Sequence, residues 1–289
     1  MKKQKTVSIK AKLLGVIIPV EIAIVVVLVV AAYQISAGTI KKYSQNLLQS
    51  SVENQASQIE AWLNENLASF QMAKTIIEDL KPSDEELKTI LDGYYGYNSN
   101  YPEGLYVADS TGQLITASES TKKESDVTNS TWYKEGLTRV NMAVGSAYQN
   151  ADGVNVISAS GILNDGSDKV RVISADMTLD RIAIIVNSFI EMNDAEAFLV
   201  DKTSGVILAN RDSSLISQTL GAEGQSHFYQ LTAEKAAEKD YNFATLDGNM
   251  TVFQEVDGTN WLLISYIPTS IVLSDLTQLR NIMIVISVI

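Results

Sequence analysis

Leu105-Tyr-Val-Ala-Asp-Ser-Thr-Gly-Gln-Leu-Ile-Thr116 decides how this chain is read, because its pattern returns as Phe198-Leu-Val-Asp-Lys-Thr-Ser-Gly-Val-Ile-Leu-Ala209. Each stretch reads as strand, turn, strand, with Asp109 to Gly112 forming the first turn and Asp201-Lys-Thr matching Asp109-Ser-Thr. Downstream of the first copy the pattern predicts a helix around 132–140, then strands near 144–148, 154–161 and 170–175. Turns are expected at Asp152-Gly153 and Asp165-Gly166. Downstream of the second copy, strands at 252–254 and 261–266 flank a turn at Asp257-Gly258, and Ile173-Ser-Ala-Asp-Met-Thr178 sits against Ile264-Ser-Tyr-Ile-Pro-Thr269. Repetition at a period of about 90 residues means two stacked α+β modules of one type, each with an antiparallel sheet.

Upstream of the repeat, apolar residues recur at Ile40, Tyr43, Leu47, Val52, Ile59, Trp62 or Leu63, Phe70, Ile76 or Ile77, and Leu80, which is helical spacing. The stripe is wider than a strict coiled-coil seam, so it predicts a spine for the folded region, not a free stalk. Pro82-Ser83-Asp84-Glu85-Glu86 then supplies a stop, a cap and first-turn acids for a short helix reaching Leu91.

Both ends are apolar. Residues 1–12 carry Lys2, Lys3, Lys5, Lys10 and Lys12 and no acid, and residues 13–35 form an apolar run broken only by Gly15, Pro19, Glu21 and Gln34. As a helix the run is about 35 Å long, enough to span a bilayer, and the lysines place the N-terminus in the cytoplasm. A cleaved signal peptide is the competing reading. The length of the run and the apolar stretch 281–289, read as the start of a second span, favour a double anchor. The expected organisation is a cytoplasmic tail (1–12), a first span (13–35), an extracytoplasmic region (36–279) and the start of a second span (280–289). Within the extracytoplasmic region, 36–91 is the long helix and connector, 92–190 the membrane-distal module and 191–279 the membrane-proximal one.

Composition removes most chemistry. The 289 residues include no cysteine and one histidine, His227, expected in a surface loop. Thiol catalysis, thiolate metal sites and a Ser-His-Asp triad are therefore unavailable or unsupported. With 22 basic and 34 acidic residues and a net charge of −12, the chain lacks the basic face that nucleic acid requires. No phosphate loop or nucleophile elbow is present. Neither an enzyme nor a cofactor is expected.

The order of an N-terminal span, a long exterior helix, two PAS-like modules and a returning apolar stretch resembles the double Cache (dCache) sensor domain of bacterial chemoreceptors, sensor kinases and cyclic-nucleotide enzymes. The residues carrying the resemblance are Gly104-Leu-Tyr-Val-Ala-Asp-Ser-Thr-Gly-Gln-Leu114, Trp132-Tyr-Lys-Glu-Gly-Leu137 and Ile173-Ser-Ala-Asp-Met-Thr-Leu-Asp180. The resemblance implies an extracytoplasmic input domain for a small molecule, a homodimer through the long helix, and a cytoplasmic signalling domain outside this sequence. The alternatives are a histidine-kinase or cyclic-dinucleotide-enzyme sensor, or a membrane-anchored adhesion module.

The resemblance also implies a distal pocket. Asp176 stands where the family pairs a ligand ammonium, Trp132 and Tyr133 where helix-start aromatics belong, Tyr148 at a pocket tyrosine and Asn150 where an aspartate is frequent; Tyr106 and Ser118 flank it. The position of the carboxylate-gripping arginine is Ser130, and Lys122 and Lys123 lie off the expected spacing. A hydroxyl does not replace a bidentate guanidinium. The pocket is therefore expected to prefer an amine, a nucleobase-like heterocycle or a neutral polar metabolite over an ordinary α-amino acid. Each residue has a structural alternative: Trp132 and Tyr133 as core, Tyr148 as strand packing, Asp176 as N-cap of a helix at Met177. Tyr94, Tyr95, Tyr97 and Tyr101 are expected to pack on the long helix or to rim the pocket.

Overall fold

A computed structural model describes residues 9–150, 153–188, 192 and 194–288. Most of the basic tail and Asp152 of the expected turn lie outside them. The long helix and the span form one element, α1 (Ile9–Leu80), 72 residues and about 108 Å of continuous helix with Pro19 inside it. Among the described residues it is the one helix long and apolar enough to cross a membrane, its apolar stretch starting at Leu13. It stops where Lys81 takes a left-handed φ of 48° ahead of Pro82. Helix α2 (Asp84–Asp92) follows at once. Ser83 and Glu86 close a reciprocal capping box in which the Ser83 N–H donates to Glu86 Oε2 at 2.9 Å.

Two five-stranded antiparallel sheets follow, and they share one topology. The first contains β1 (Leu105–Asp109), β2 (Leu114–Ile115), β3 (Ala143–Gln149), β4 (Asn155–Leu163) and β5 (Arg171–Thr178), in the order β2-β1-β5-β4-β3. The second contains β6 (Glu196–Asp201), β7 (Ile207–Asn210), β8 (Ala244–Leu246), β9 (Asn249–Val256) and β10 (Trp261–Pro268), in the order β7-β6-β10-β9-β8. The recurring turn has a common physical cause. Asp109 Oδ1 accepts the Thr111 N–H (2.8 Å), the Thr111 hydroxyl (2.6 Å) and the Gln113 N–H (3.1 Å). Asp201 Oδ1 accepts the N–H groups of Thr203 (2.9 Å) and Ser204 (2.8 Å). An aspartate at the end of each strand folds its own turn.

Strand pairing corrects one alignment. Val107 faces Ile173 across β1 and β5, while Leu199 faces Leu263 across β6 and β10. The partner of Ile173 in the second module is therefore Leu263, not Ile264, and Asp176 corresponds to Tyr266. A slip of one residue exchanges the two faces of a strand, so only the register separates these readings.

Each sheet is covered on both sides. On one side, Leu105, Val107, Ile173 and Ala175 of the first sheet and Leu199, Val252 and Leu263 of the second join a single core with α1. The α1 contribution is Leu48, Val52, Ala56, Ile59, Trp62, Leu63, Phe70, Ala73 and Ile77. The expected stripe is thus shifted: Leu48 is buried beside the half-buried Leu47, Ile77 is chosen over Ile76, and Tyr43 and Leu80 are exposed. On the other side, α3 (Thr131–Gly136) seals the first sheet and α5 (His227–Ala237) the second. Helix α3 is shorter than the expected 132–140. Its last residue, Gly136, lies so close to the sheet that a Cβ would sit 2.4 Å from Val172 Cγ1. His227 is exposed as expected, but in the first turn of α5 and not in a loop.

The modules are joined by α4 (Asp180–Val186), whose C-terminal carbonyls are gripped from α1: Gln55 Nε2 donates to the carbonyls of Ile185 (3.1 Å), Val186 (3.2 Å) and Ser188 (2.8 Å). Asn155 Nδ2 adds a direct bond to Ser217 Oγ at 2.7 Å. The short α6 (Thr269–Val272) leads into α7 (Ser274–Val288), which lies along α1 with Arg280 4.7 Å over the Tyr33 ring.

Two predictions follow from this packing. Ile59→Ala removes a fully buried side chain from the α1 core and is expected to lower unfolding free energy by about 2–5 kcal/mol in chemical denaturation. Burial raises the Asp109 carboxyl, but Lys169, Thr111 and the backbone N–H groups outweigh it and hold it down at about 2. Its contribution is therefore fully present above the ordinary carboxylate range and is lost as pH falls toward 2. Asp109→Asn should flatten the acid limb of the stability–pH profile in that window.

Candidate functional site

The face of the first sheet that meets α3 carries a polar row among its apolar residues. Tyr106, Ser158, Ser160, Ser174 and Asp176 all point to this side and all are buried. Register puts Tyr106 opposite Ser174 and Ser158 opposite Asp176. Asp176 sits within β5 and not at a helix start: the next helix begins at Asp180 behind Leu179, which removes the N-cap reading.

A carboxylate buried on a sheet must be satisfied or neutralised. Asp176 Oδ1 accepts hydroxyls from Tyr106 (2.5 Å), Ser158 (2.5 Å) and Tyr148 (2.9 Å). Asp176 Oδ2 takes the Lys122 ammonium at 2.6 Å, and both side chains of this pair are at most 10% exposed. Lys122 Nζ also lies 4.2 Å from the centre of the Tyr106 ring, adding a cation–π contact. Burial, then the Asp176 charge, pushes the phenols of Tyr106 and Tyr148 well above the usual tyrosine range. Both act as donors to the carboxylate and not as acids.

This cluster forms one wall of an open cavity of about 440 Å³. Ser130, Tyr148, Asn150 and Asp176 line it; Lys122, Lys123 and Glu124 border it from the segment between β2 and α3, together with Pro102 and Glu103. That segment is tied down by Ser120 Oγ donating to Glu103 (2.5 Å) and by Trp132 Nε1 donating to Glu124 (2.8 Å). The volume suits a small metabolite. Among the described residues no group of three His, Asp or Glu side chains is placed to hold a metal ion. The site offers charge and hydrogen bonds.

The dCache_1 family model, the Cache domain, matches residues 32–276. The chain belongs to the Cache-domain family. No curated protein sequence matches it. Among solved structures, this Cache chain is similar to the ligand-binding domain of the Pseudomonas fluorescens chemoreceptor CtaA in complex with L-isoleucine, at 20% identity over 83% of this chain and 98% of that one, with a TM-score of 0.65. The ligand-binding domain of Mlp24 with asparagine matches at 17% identity over 81% and 98%, TM-score 0.66. That of Pseudomonas aeruginosa PAO1 PctC with GABA matches at 19% over 78% and 99%, TM-score 0.59. At these identities the likeness is one of fold.

The Cache fold brings some of the expected residues together and separates others. Tyr148, Asn150, Ser130 and Asp176 line the cavity, and Tyr106 lies beneath it on Asp176. Ser118 does not reach it: its N–H and hydroxyl both bind the Asp92 carboxylate at the end of α2. Trp132 and Tyr133 are buried in the core between α3 and the sheet, edge-to-face with each other at 5.7 Å, and Trp132 with Tyr106 at 4.9 Å. Trp132 touches the cavity only through Glu124. The Ser130 hydroxyl is committed to the Val127 carbonyl at 2.6 Å. Asn150 Oδ1 accepts the Val154 N–H at 2.9 Å across its hairpin. Tyr101 packs on α1, edge-to-face with Phe70 at 4.8 Å, Tyr94 and Tyr95 pack against the same core, and Tyr97 is exposed.

The residue that motif spacing did not assign is Lys122. A signal for it was present. An aspartate inside an apolar strand needs a counter-ion, and Lys122 and Lys123 are the only cations between 121 and 131. In the second module Tyr266 replaces Asp176 and donates to Glu196, and Phe198, Phe228 and Tyr229 close over it. The charged cavity is thus a property of the first module. In a spectrophotometric titration, Tyr148→Phe should leave the phenolate absorbance rise unchanged up to the point of unfolding, because Tyr148 remains protonated throughout.

Proposed function

We propose that this chain is the extracytoplasmic small-molecule-binding input domain of a transmembrane signalling receptor, in the first instance a chemoreceptor, with its ligand in the cavity over Asp176. The single observation that carries this reading is a buried carboxylate with four donors opening onto a cavity of metabolite size. The organisation supports it. An apolar stretch leads directly into the helix whose core holds both sheets, so a displacement of the distal module is carried along α1 toward the membrane, and α7 runs back beside it. A dimer through α1 completes the proposal, with ligand biasing a two-state equilibrium.

The ligand we propose is an amine, a nucleobase-like heterocycle or a neutral polar metabolite, and not an ordinary α-amino acid. CtaA, Mlp24 and PctC are described with isoleucine, asparagine and GABA. Here Ser130 stands where the carboxylate clamp is expected, and its hydroxyl is engaged with Val127. Lys123 at the rim is solvent-exposed, where an ion pair with a carboxylate is worth little.

A thermal-shift screen of the detergent-solubilised chain tests this against amino acids, amines, purines and pyrimidines, sugars and small carboxylates. Ligand at a hundred times its Kd adds about 2.7 kcal/mol and raises Tm by several degrees. The expected hit is an amine, nucleobase or neutral polar compound, and its effect is lost in Asp176→Asn and weakened in Tyr148→Phe. Hits confined to α-amino acids would overturn the ligand class. Hits unaffected by either variant would overturn the site.

A further inference from the structure

We propose that Lys122 is a tethered occupant of the cation subsite at Asp176, so that a ligand amine binds by displacing it and Lys122 sets the affinity of the site for ammonium groups. The inference rests on the site reading above and adds to it the identity of the competing group.

Four observations carry it. The Lys122 ammonium contacts Asp176 Oδ2 at 2.6 Å and the Tyr106 ring face at 4.2 Å, the two contacts a primary ammonium ligand would seek at this spot. The three hydroxyls on Asp176 all bind Oδ1, so Oδ2 is the oxygen left for a cation, and Lys122 holds it. Lys122 comes from an irregular segment, residues 116–126, not from the sheet that carries the carboxylate. It also borders the cavity, so its withdrawal from Oδ2 opens onto space a ligand can fill. A neutral ligand, by contrast, binds beside the intact pair and does not compete with it.

A tethered competitor lowers apparent affinity by the fraction of time the subsite is free. Removing the ammonium while keeping an apolar stem should therefore tighten amine binding selectively. The test is isothermal titration of the full chain in nanodiscs with n-butylammonium chloride, and with 1-butanol as the neutral isostere. Lys122→Met should tighten n-butylammonium by about tenfold or more and leave 1-butanol unchanged. Lys122→Arg keeps the subsite filled by a two-pronged cation and should weaken n-butylammonium, which preserves the test if the Met variant fails to fold. In the wild-type chain, the 15Nζ resonance of Lys122 should shift as n-butylammonium saturates.

Equal n-butylammonium affinity in wild type and Lys122→Met, or saturation with no shift of the Lys122 resonance, overturns the inference. If n-butylammonium binds no form while a neutral hit from the screen is lost in Asp176→Asn, the inference falls and the site reading stands. If nothing binds in an Asp176-dependent way, both fall.

Discussion

Neither five-stranded sheet can cover both of its own faces, and one helix closes the same side of both. The stripe from Leu48 to Ile77 on α1 is the shared wall of a single core running through the two modules. Everything else takes its position from that constraint. The sheets stand side by side along one axis, α4 between them is tied to the spine by Gln55, and the faces turned away from α1 are left for α3 and α5 to fill. A helix in this role runs unbroken from the first module to the apolar stretch beginning at Leu13.

The two outer faces answer the same geometric problem with different chemistry. In the second module, Phe198, Phe228, Tyr229 and Tyr266 pack against one another, and Glu196 is met by Tyr266 and Arg211. In the first, Tyr106 stands at the position of Phe198 and Asp176 at that of Tyr266, and the buried Asp176 carboxylate is satisfied by hydroxyls and a cation. Breaking such a buried pair by removing one partner typically costs about 3–5 kcal/mol. This demanding assembly stands beside open space and not in a sealed core, which is the ground of the proposal that its partner is exchanged.

The order of elements was legible because each rests on local physics. Aspartate-led turns, the Pro82-Ser83 stop and cap, and alternation along the strands are all written within a few residues. What sequence could not resolve depends on distance in space. The register of β10 against β6 distinguishes Leu263 from Ile264, and only pairing across the sheet reveals it. The burial of Trp132 and Tyr133 follows from how closely Gly136 lets α3 approach the sheet. The family resemblance placed Ser118 beside the pocket, yet its hydroxyl answers Asp92, 26 residues away. Lys122 was visible as a charge but not as a partner, because an irregular segment obeys no fixed spacing.

The measurement that bears most directly on this account is hydrogen–deuterium exchange of the full chain in nanodiscs, with and without a saturating hit from the ligand screen. Ligand is expected to slow exchange in the segment 116–126 and in β3 to β5 around Asp176, with smaller changes passed to α4 where Gln55 holds it. Protection confined to residues 196–268, with the Asp176 region unaltered, would contradict it and move the site to the second module.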